Sequence, residues 1–181
     1  MAETTIGCVA AVEYGQDSDR YVLIEETKSH KKGRLNLPGG EIEILKKRSG
    51  GFKAQEGLLA CVSREIEEES GLKPDDVELR HFLGLFQYTR DSHMHLAFGA
   101  LATGGELGAE NKKKHPHVEA YSYEDIEELH AAGHLRSDRV IEVIRRAHGQ
   151  THGPARERVN FPSVAEFVSI FESDVLPRPQ A

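Results

Sequence analysis

The chain has 181 residues, which suits one domain with a tail, and area scaling predicts that folding buries roughly 70% of its surface. Charged residues make up 29% and the hydrophobic set 38%, which excludes a disordered acidic chain and a polytopic membrane protein. The net charge of −7, from 23 basic and 30 acidic residues, argues against nucleic acid or an anionic membrane as a partner. The N-terminus lacks a secretory signal, and Cys8 and Cys61 lie in apolar segments, so we expect a cytoplasmic protein with reduced cysteines.

The hydrophobic pattern predicts a mixed α/β (α+β) domain over residues 1–148 and a C-terminal tail over 149–181. The predicted strands, in chain order, are 5–12, 21–26, 41–44, 77–89, 93–102 and 118–121. The predicted helices are 57–70, ended by Gly71, then 122–132, capped by Ser122, and 137–148. Residues 46–55 are basic and contain glycine, which predicts a surface loop, and the amphipathic stretch 163–171 of the tail could pack on the domain.

Four glutamates stand within five residues of the first predicted helix: Glu65, Glu67, Glu68 and Glu69. On a helix, Glu65, Glu68 and Glu69 fall within about 100° of arc, whereas Glu67 points to nearly the opposite side. Three carboxylates on one packed face destabilise a helix unless a cation compensates them, and a hard divalent cation such as Mg²⁺ takes oxygen ligands. For the glutamate run alone, a solvent-facing acidic helix is the alternative interpretation.

The residues around this run form a longer motif, Gly50-x5-Glu56-x7-Arg64-Glu65-Ile66-x-Glu68-Glu69-x-Gly71-Leu72. On this motif the chain resembles the Nudix hydrolase family, in which the motif (the Nudix box) lies on a loop–helix–loop. The resemblance implies the Nudix fold, a mixed sheet sandwiched between helices.

The first glycine of the box departs from the family pattern. In the family this glycine usually belongs to a Pro-Gly-Gly turn six residues before the first glutamate. Here Leu37-Pro38-Gly39-Gly40 resembles that turn, but Gly40 stands 16 residues before Glu56. Either residues 46–55 are an insertion and Gly50 matches by accident, or Gly50 has replaced the turn glycine. We favour the insertion, and we expect it to form a mobile flap beside the phosphates of a substrate.

The resemblance implies hydrolysis of a diphosphate linkage by water that Mg²⁺ activates, with Mn²⁺ as a substitute. The metal ligands that it implies are the Gly40 carbonyl, Glu65, Glu68 and Glu69. Glu65 is implied as ligand or general base, Glu56 as an assisting carboxylate, and Arg64 as the ion-pairing residue that holds the box loops together. The family often adds a carboxylate from outside the box. Glu119 is the candidate here, followed by Glu110.

The substrate is less constrained by the sequence. The segments 24–27, 35–40 and 135–145 resemble the NudJ type of phosphatase, which acts on thiamine-pyrimidine pyrophosphate, thiamine diphosphate and nucleoside tri- and diphosphates. Tyr88 has the spacing of an aromatic residue in dinucleoside polyphosphate hydrolases and could stack on a base, although half-buried packing is the alternative. Arg34 stands in a basic loop that could attract a polyphosphate, and solvated surface charge is the alternative.

Other classes of function stay open. Capped RNA and diphosphoinositol polyphosphates are alternative substrates, and the net charge of −7 argues against both. A non-catalytic Nudix-fold binding module is a further alternative, although no box acid is degenerate. We expect a small-molecule diphosphate as the partner and a monomer or homodimer as the assembly. His93, His95, His115 and His117 lack cysteines at zinc-site spacing, and we expect these histidines to be exposed.

Overall fold

A mixed β-sheet between helices forms the centre of the molecule. The computed structural model describes residues 5–16, 18–27, 30–42, 44–46, 52–55, 57–87, 93–108, 115–153 and 161–168. The strands are β1 (Thr5–Tyr14), β2 (Arg20–Glu25), β3 (Leu35–Asn36), β4 (Gly39–Glu41), β5 (Ile44–Lys46), β6 (Phe52–Gln55), β7 (Val77–Gln87), β8 (His93–Ala102) and β9 (Val118–Ser122). The helices are α1 (Leu58–Ser70), α2 (Tyr123–Ala131) and α3 (Asp138–Thr151). Within these ranges, none of the helices has the length and apolar character needed to cross a membrane.

The central sheet has the strand order β3-β2-β1-β8-β7, and β9 pairs with β2. Strands β1 and β8 run parallel along their whole length, whereas β7 and β8 are antiparallel. On the side away from β8, β1 pairs with two different strands. Strand β2 pairs with it at Glu13, and β4 pairs with it at Gly7–Val9. This arrangement brings the Pro-Gly-Gly turn to the start of β1. The predicted α/β (α+β) fold class is confirmed.

Helix α1 covers one face of the sheet, and α2 and α3 cover the other. On the first face, Val62 and Ile66 of α1 are buried together with Val12 of β1. On the opposite face, Ile144 of α3 is buried together with Ala11 of β1. The side chains of β1 therefore alternate between the two cores, as expected for a strand covered on both faces. Burying one side chain of the size of Ile144 stabilises the fold by about 1.5–3 kcal/mol.

Helix α1 ends where the sequence predicts. Gly71 adopts a left-handed conformation (φ 80°), and its N–H donates to the carbonyl of Glu67. A Cβ at this position would collide with the backbone of Gly108, so the C-cap requires glycine for space as well as for conformation. Helix α2 begins at the predicted cap, because Ser122 and Asp125 form a reciprocal capping box.

Helix α3 extends to Thr151, three residues beyond its predicted end at His148. The prediction treated Gly149 as a breaker, but a single glycine inside a helix costs only about 1 kcal/mol. The ring of His148 stacks on Tyr123 at 3.9 Å and on His152 at 4.8 Å. Because His148 precedes Gly149 and His152 follows it, these contacts stabilise the additional turn of the helix.

The prediction of a surface loop over residues 46–55 is wrong in part. Strands β5 and β6 form a separate antiparallel pair, with Ile44 opposite Gln55 and Lys46 opposite Phe52. The predicted strand 41–44 is divided accordingly, since β4 ends at Glu41 and β5 begins at Ile44. Lysine and glycine suggested a loop, whereas the flanking Ile44 and Phe52 are good strand formers. The predicted flap includes residues 47–51, which lie outside the described residues.

Part of the tail contacts the outer edge of β7. The N–H of Phe82 donates to the carbonyl of Pro162 at 3.0 Å, and Ser163 forms a β-bridge with His81. Residues 164–168 are helical, and the ring of Phe167 stacks on Phe82 with 4.0 Å between centroids. This segment adds an aromatic side chain to the core on the α1 side of the sheet.

We expect Phe167→Ala to lower the free energy of unfolding by about 1–3 kcal/mol, because a half-buried ring and its aromatic partner are lost. Urea unfolding followed by circular dichroism measures this change. Leu85→Ala is the matched control: this side chain is 56% exposed, and its truncation should stay within about 0.5 kcal/mol. Equal effects of the two substitutions would show that residues 161–168 do not stabilise the domain.

Candidate active site

Two of the four glutamates on α1 are turned into the protein. Glu65 and Glu69 stand one helical turn apart and are 6% and 5% exposed. The side chain of Glu68 is 45% exposed. Glu67 lies on the other side of the helix, where it accepts a hydrogen bond from Lys73 at 2.7 Å. Helix α1 therefore presents a buried carboxylate pair, with Glu68 at its margin.

The buried pair packs against the Pro-Gly-Gly turn. The N–H of Gly39 donates to Oε2 of Glu69 at 2.9 Å. A Cβ on Gly40 would lie on the carboxylate of Glu65, 2.7 Å from Oε2 and closer still to Oε1. Only glycine leaves room for Glu65 at this position. The turn and the box helix thus form one packed unit, although 25 residues separate Gly40 from Glu65 in sequence.

The ladder between β1 and β4 orients the carbonyl groups of this turn. Cys8 stands opposite Gly40, and two residues along the ladder the N–H of Ala10 donates to the carbonyl of Pro38. Hydrogen-bonded pairs recur at every second residue of an antiparallel ladder, so the Gly40 carbonyl faces Cys8. This orientation disagrees with the predicted metal contact through the Gly40 carbonyl. The N–H of Gly39 faces away from β1, toward Glu69, and the Gly39 carbonyl faces away from β1 as well.

Arg64 connects the box helix to β4. Its Nη1 donates to Oε1 of Glu65 at 2.7 Å and lies 3.5 Å from Oε1 of Glu68. Its Nη2 donates to the backbone carbonyl of Glu41 at 3.3 Å. One guanidinium therefore restrains two box carboxylates and the end of the adjacent strand.

The carboxylate cluster carries more negative charge than Arg64 compensates. Burial raises the pKa of Glu65 above its usual value, and the charges of Glu69 and Glu68 raise it further, against the opposing effect of Arg64. Among the described residues, no three His, Cys, Asp or Glu side chains converge closely enough to enclose a metal ion. The three box carboxylates are nevertheless an all-oxygen donor set, and their charge fits a hard divalent cation such as Mg²⁺.

Comparison with known proteins identifies the fold that carries this site. Residues 4–144 match the NUDIX domain. The chain belongs to this family. "Putative nudix hydrolase 1" of Caenorhabditis elegans is 30% identical over 139 residues, which cover 76% of this chain and 34% of that protein. The chain thus spans about a third of that relative's length.

Solved Nudix structures share the fold. A NUDIX hydrolase from Nitrosomonas europaea superposes with a TM-score of 0.64 at 21% identity, covering 85% of this chain and 95% of that one. An Ap4A hydrolase of C. elegans, solved as a binary complex, superposes with a TM-score of 0.57 at 10% identity, covering 78% and 93%. The Nudix family and fold predicted from the box motif are confirmed.

The structure does not bring Glu119 to the box of this Nudix domain. Val118 packs into the core on the α1 side, so the alternation of β9 turns Glu119 to the opposite face. There Glu119 lies 3.0 Å from Nε2 of His117 and lines a cleft of about 480 Å³ with Leu129 of α2. The prediction placed Glu119 on the correct strand but could not determine which face it occupies.

Arg34, the remaining predicted site residue that the structure describes, is not drawn into the cluster. The side chain of Arg34 is exposed at the turn between β2 and β3, where its backbone N–H donates to the carbonyl of Lys31. Glu56, Tyr88 and Glu110 lie outside the described residues, and their assigned roles stay predictions.

His115 lies against the buried carboxylate pair, although no motif marks it as a site residue. We expected this residue to be exposed, but it is 5% exposed, and its Nε2 lies 2.9 Å from Oε1 of Glu69. His117, two residues later, is exposed as expected. The two histidines are indistinguishable in sequence, since only the path of the chain into β9 decides which of them points inward.

A narrow cleft opens beside the turn on the α3 side of the sheet. Asn36 and Leu37, which directly precede the Pro-Gly-Gly turn, form one end of this cleft. Its other walls include Phe86, His95 and Arg139, and the guanidinium of Arg139 stands 5.6 Å from the Phe86 ring centroid. The free volume of this cleft is only about 20 Å³, and it lies on the opposite side of the sheet from α1, so it has no room for a nucleobase or a thiamine ring.

Proposed function

We propose that this Nudix protein hydrolyses a diphosphate linkage in a small nucleotide or a thiamine-related diphosphate, with Mg²⁺ and water. One observation carries the proposal: the carboxylates of Glu65 and Glu69 are buried side by side against a glycine turn, and Arg64 pairs with Glu65. A buried like-charge pair is unfavourable in the isolated protein, which makes a divalent cation its natural partner.

Each side chain has a role that follows from its contacts. Glu65, Glu68 and Glu69 would hold the cation, which supplies charge neutralisation at the phosphates and a more acidic water. The N–H of Gly39 fixes the orientation of Glu69, and Arg64 fixes that of Glu65. Phosphoryl transfer depends chiefly on positioning and charge stabilisation, so these restraints matter for the rate. As in the family, Glu65 serves as ligand or as general base.

The substrate class rests on the sequence. The segments 24–27, 35–40 and 135–145 resemble the NudJ type, which favours nucleotides and thiamine-related diphosphates, and this specificity stays a prediction. Dinucleoside polyphosphates, capped RNA and diphosphoinositol polyphosphates are the alternatives.

A substrate panel tests the proposal. We expect the purified protein to hydrolyse at least one of thiamine diphosphate, nucleoside di- and triphosphates, ADP-ribose, dinucleoside polyphosphates or capped RNA, with released phosphate and pyrophosphate measured separately. EDTA should abolish turnover, and excess Mg²⁺ or Mn²⁺ should restore it, because the carboxylates alone repel a polyanion. Absence of turnover on the whole panel, with divalent metal bound, would favour a non-catalytic binding module instead.

A further inference from the structure

The buried histidine beside Glu69 deepens the proposed function and rests on it. We propose that His115 is a nitrogen ligand of the divalent metal ion that Glu69 binds. The site would then be a mixed nitrogen and oxygen site, in contrast to the all-carboxylate set that the box motif predicts.

The first support is burial. His115 lies in the segment directly before β9, 46 residues after Glu69, and both side chains are at least nine-tenths buried. The Nε2–Oε1 separation of 2.9 Å is a contact between the two polar ends. An imidazole so placed is aimed at the carboxylate cluster.

The second support concerns the hydrogen bonds of the His115 ring. Among the described residues, neither Nδ1 nor Nε2 of His115 has a hydrogen-bond partner, so the close approach to Glu69 lacks hydrogen-bond geometry. Leaving a buried polar group without a partner costs about 1–3 kcal/mol. A metal ion bound at Nε2 would satisfy this nitrogen, which would offer it a lone pair.

The third support is the distance itself. In octahedral coordination with metal–ligand distances near 2.0–2.1 Å, neighbouring ligand atoms are about 2.9 Å apart. Nε2 of His115 and Oε1 of Glu69 already stand at this separation. This separation therefore suits two ligands at neighbouring positions around one ion. The remaining positions would go to water, to the substrate's phosphate oxygens and to Glu65 or Glu68 after rotation.

A nitrogen ligand has a consequence for metal preference. Imidazole suits first-row transition metals better than Mg²⁺, which prefers oxygen. We therefore expect Mn²⁺ to bind more tightly than Mg²⁺, with His115 responsible for part of the difference.

Electron spin echo spectroscopy of Mn²⁺ bound to the full chain tests the proposal without reference to turnover. We expect wild type to show ¹⁴N coupling to Mn²⁺. His115→Asn should lose this coupling and bind Mn²⁺ about tenfold more weakly or worse, with a smaller loss for Mg²⁺. His117→Asn is the matched control, because His117 is exposed and contacts Glu119 instead, and it should keep the wild-type spectrum.

If His115→Asn fails to fold, the wild-type protein with ¹⁵N-labelled histidine still tests the proposal, because a spectrum that the label leaves unchanged would overturn it. Bound Mn²⁺ without nitrogen coupling would overturn the role of His115 and leave the proposed hydrolase intact. Coupling that persists in folded His115→Asn would likewise overturn it. Failure of wild type to bind Mn²⁺ or Mg²⁺ would overturn this inference and the proposed function together.

Discussion

Glu69→Gln is expected to lower the kcat/KM of diphosphate hydrolysis by about 10²–10³-fold, equivalent to roughly 3–4 kcal/mol of transition-state stabilisation. The amide keeps an oxygen that can accept the hydrogen bond from Gly39 N–H, so the packing of the turn on α1 should survive. The substitution removes one negative charge from a buried site, where charges interact more strongly than at the surface. Steady-state kinetics with a Mg²⁺ titration measure both the loss in rate and the weaker binding of the metal ion.

Glu67→Gln is the matched control for this substitution. Glu67 stands two residues earlier on the same helix, but it faces away from the site and pairs with Lys73. Its loss should leave hydrolysis near the wild-type rate, because surface ion pairs contribute only about 0–1 kcal/mol to stability. Undiminished hydrolysis in Glu69→Gln would show that the carboxylates of α1 do not bind the catalytic metal.

Gly40→Ala is expected to reduce activity by about 10²-fold or more and to destabilise the fold by about 1–3 kcal/mol. The new methyl group would occupy the position of the Glu65 carboxylate. Strand β4 cannot retreat, because its ladder with β1 holds it in place, so Glu65 must rotate away and break its contact with Arg64. Kinetics and urea unfolding measure the two effects.

Gly149→Ala serves as the control for the added methyl group. Outside the backbone of α3 itself, no described residue has a heavy atom within 4 Å of a Cβ at this position, and alanine should stabilise the helix by about 0.5–1 kcal/mol. Wild-type activity and stability in Gly40→Ala would mean that the turn does not pack on Glu65 in solution.

Local features of the fold were predictable from the sequence. The boundaries of α1 followed from its 3.6-residue periodicity and from Gly71, and the start of α2 followed from Ser122. Such signals involve residues within one or two turns of each other, so composition and spacing suffice to detect them. The errors at 46–55 and at the end of α3 arose where tertiary or cross-strand contacts outweighed the preference of glycine for loops.

Three features follow from the sequence alone: the family, the helix that carries the box, and the shared helical face of Glu65, Glu68 and Glu69. They do so because the α-helix repeats with a constant period, which relates spacing directly to direction. The packing of the whole chain is needed to show that Glu65 and Glu69 are the buried pair, that Gly40 lies against Glu65, and that His115 points inward while Glu119 points away. These facts depend on which elements pack together and in which register. Contacts between residues 25 to 46 positions apart set that packing, and no local pattern encodes them.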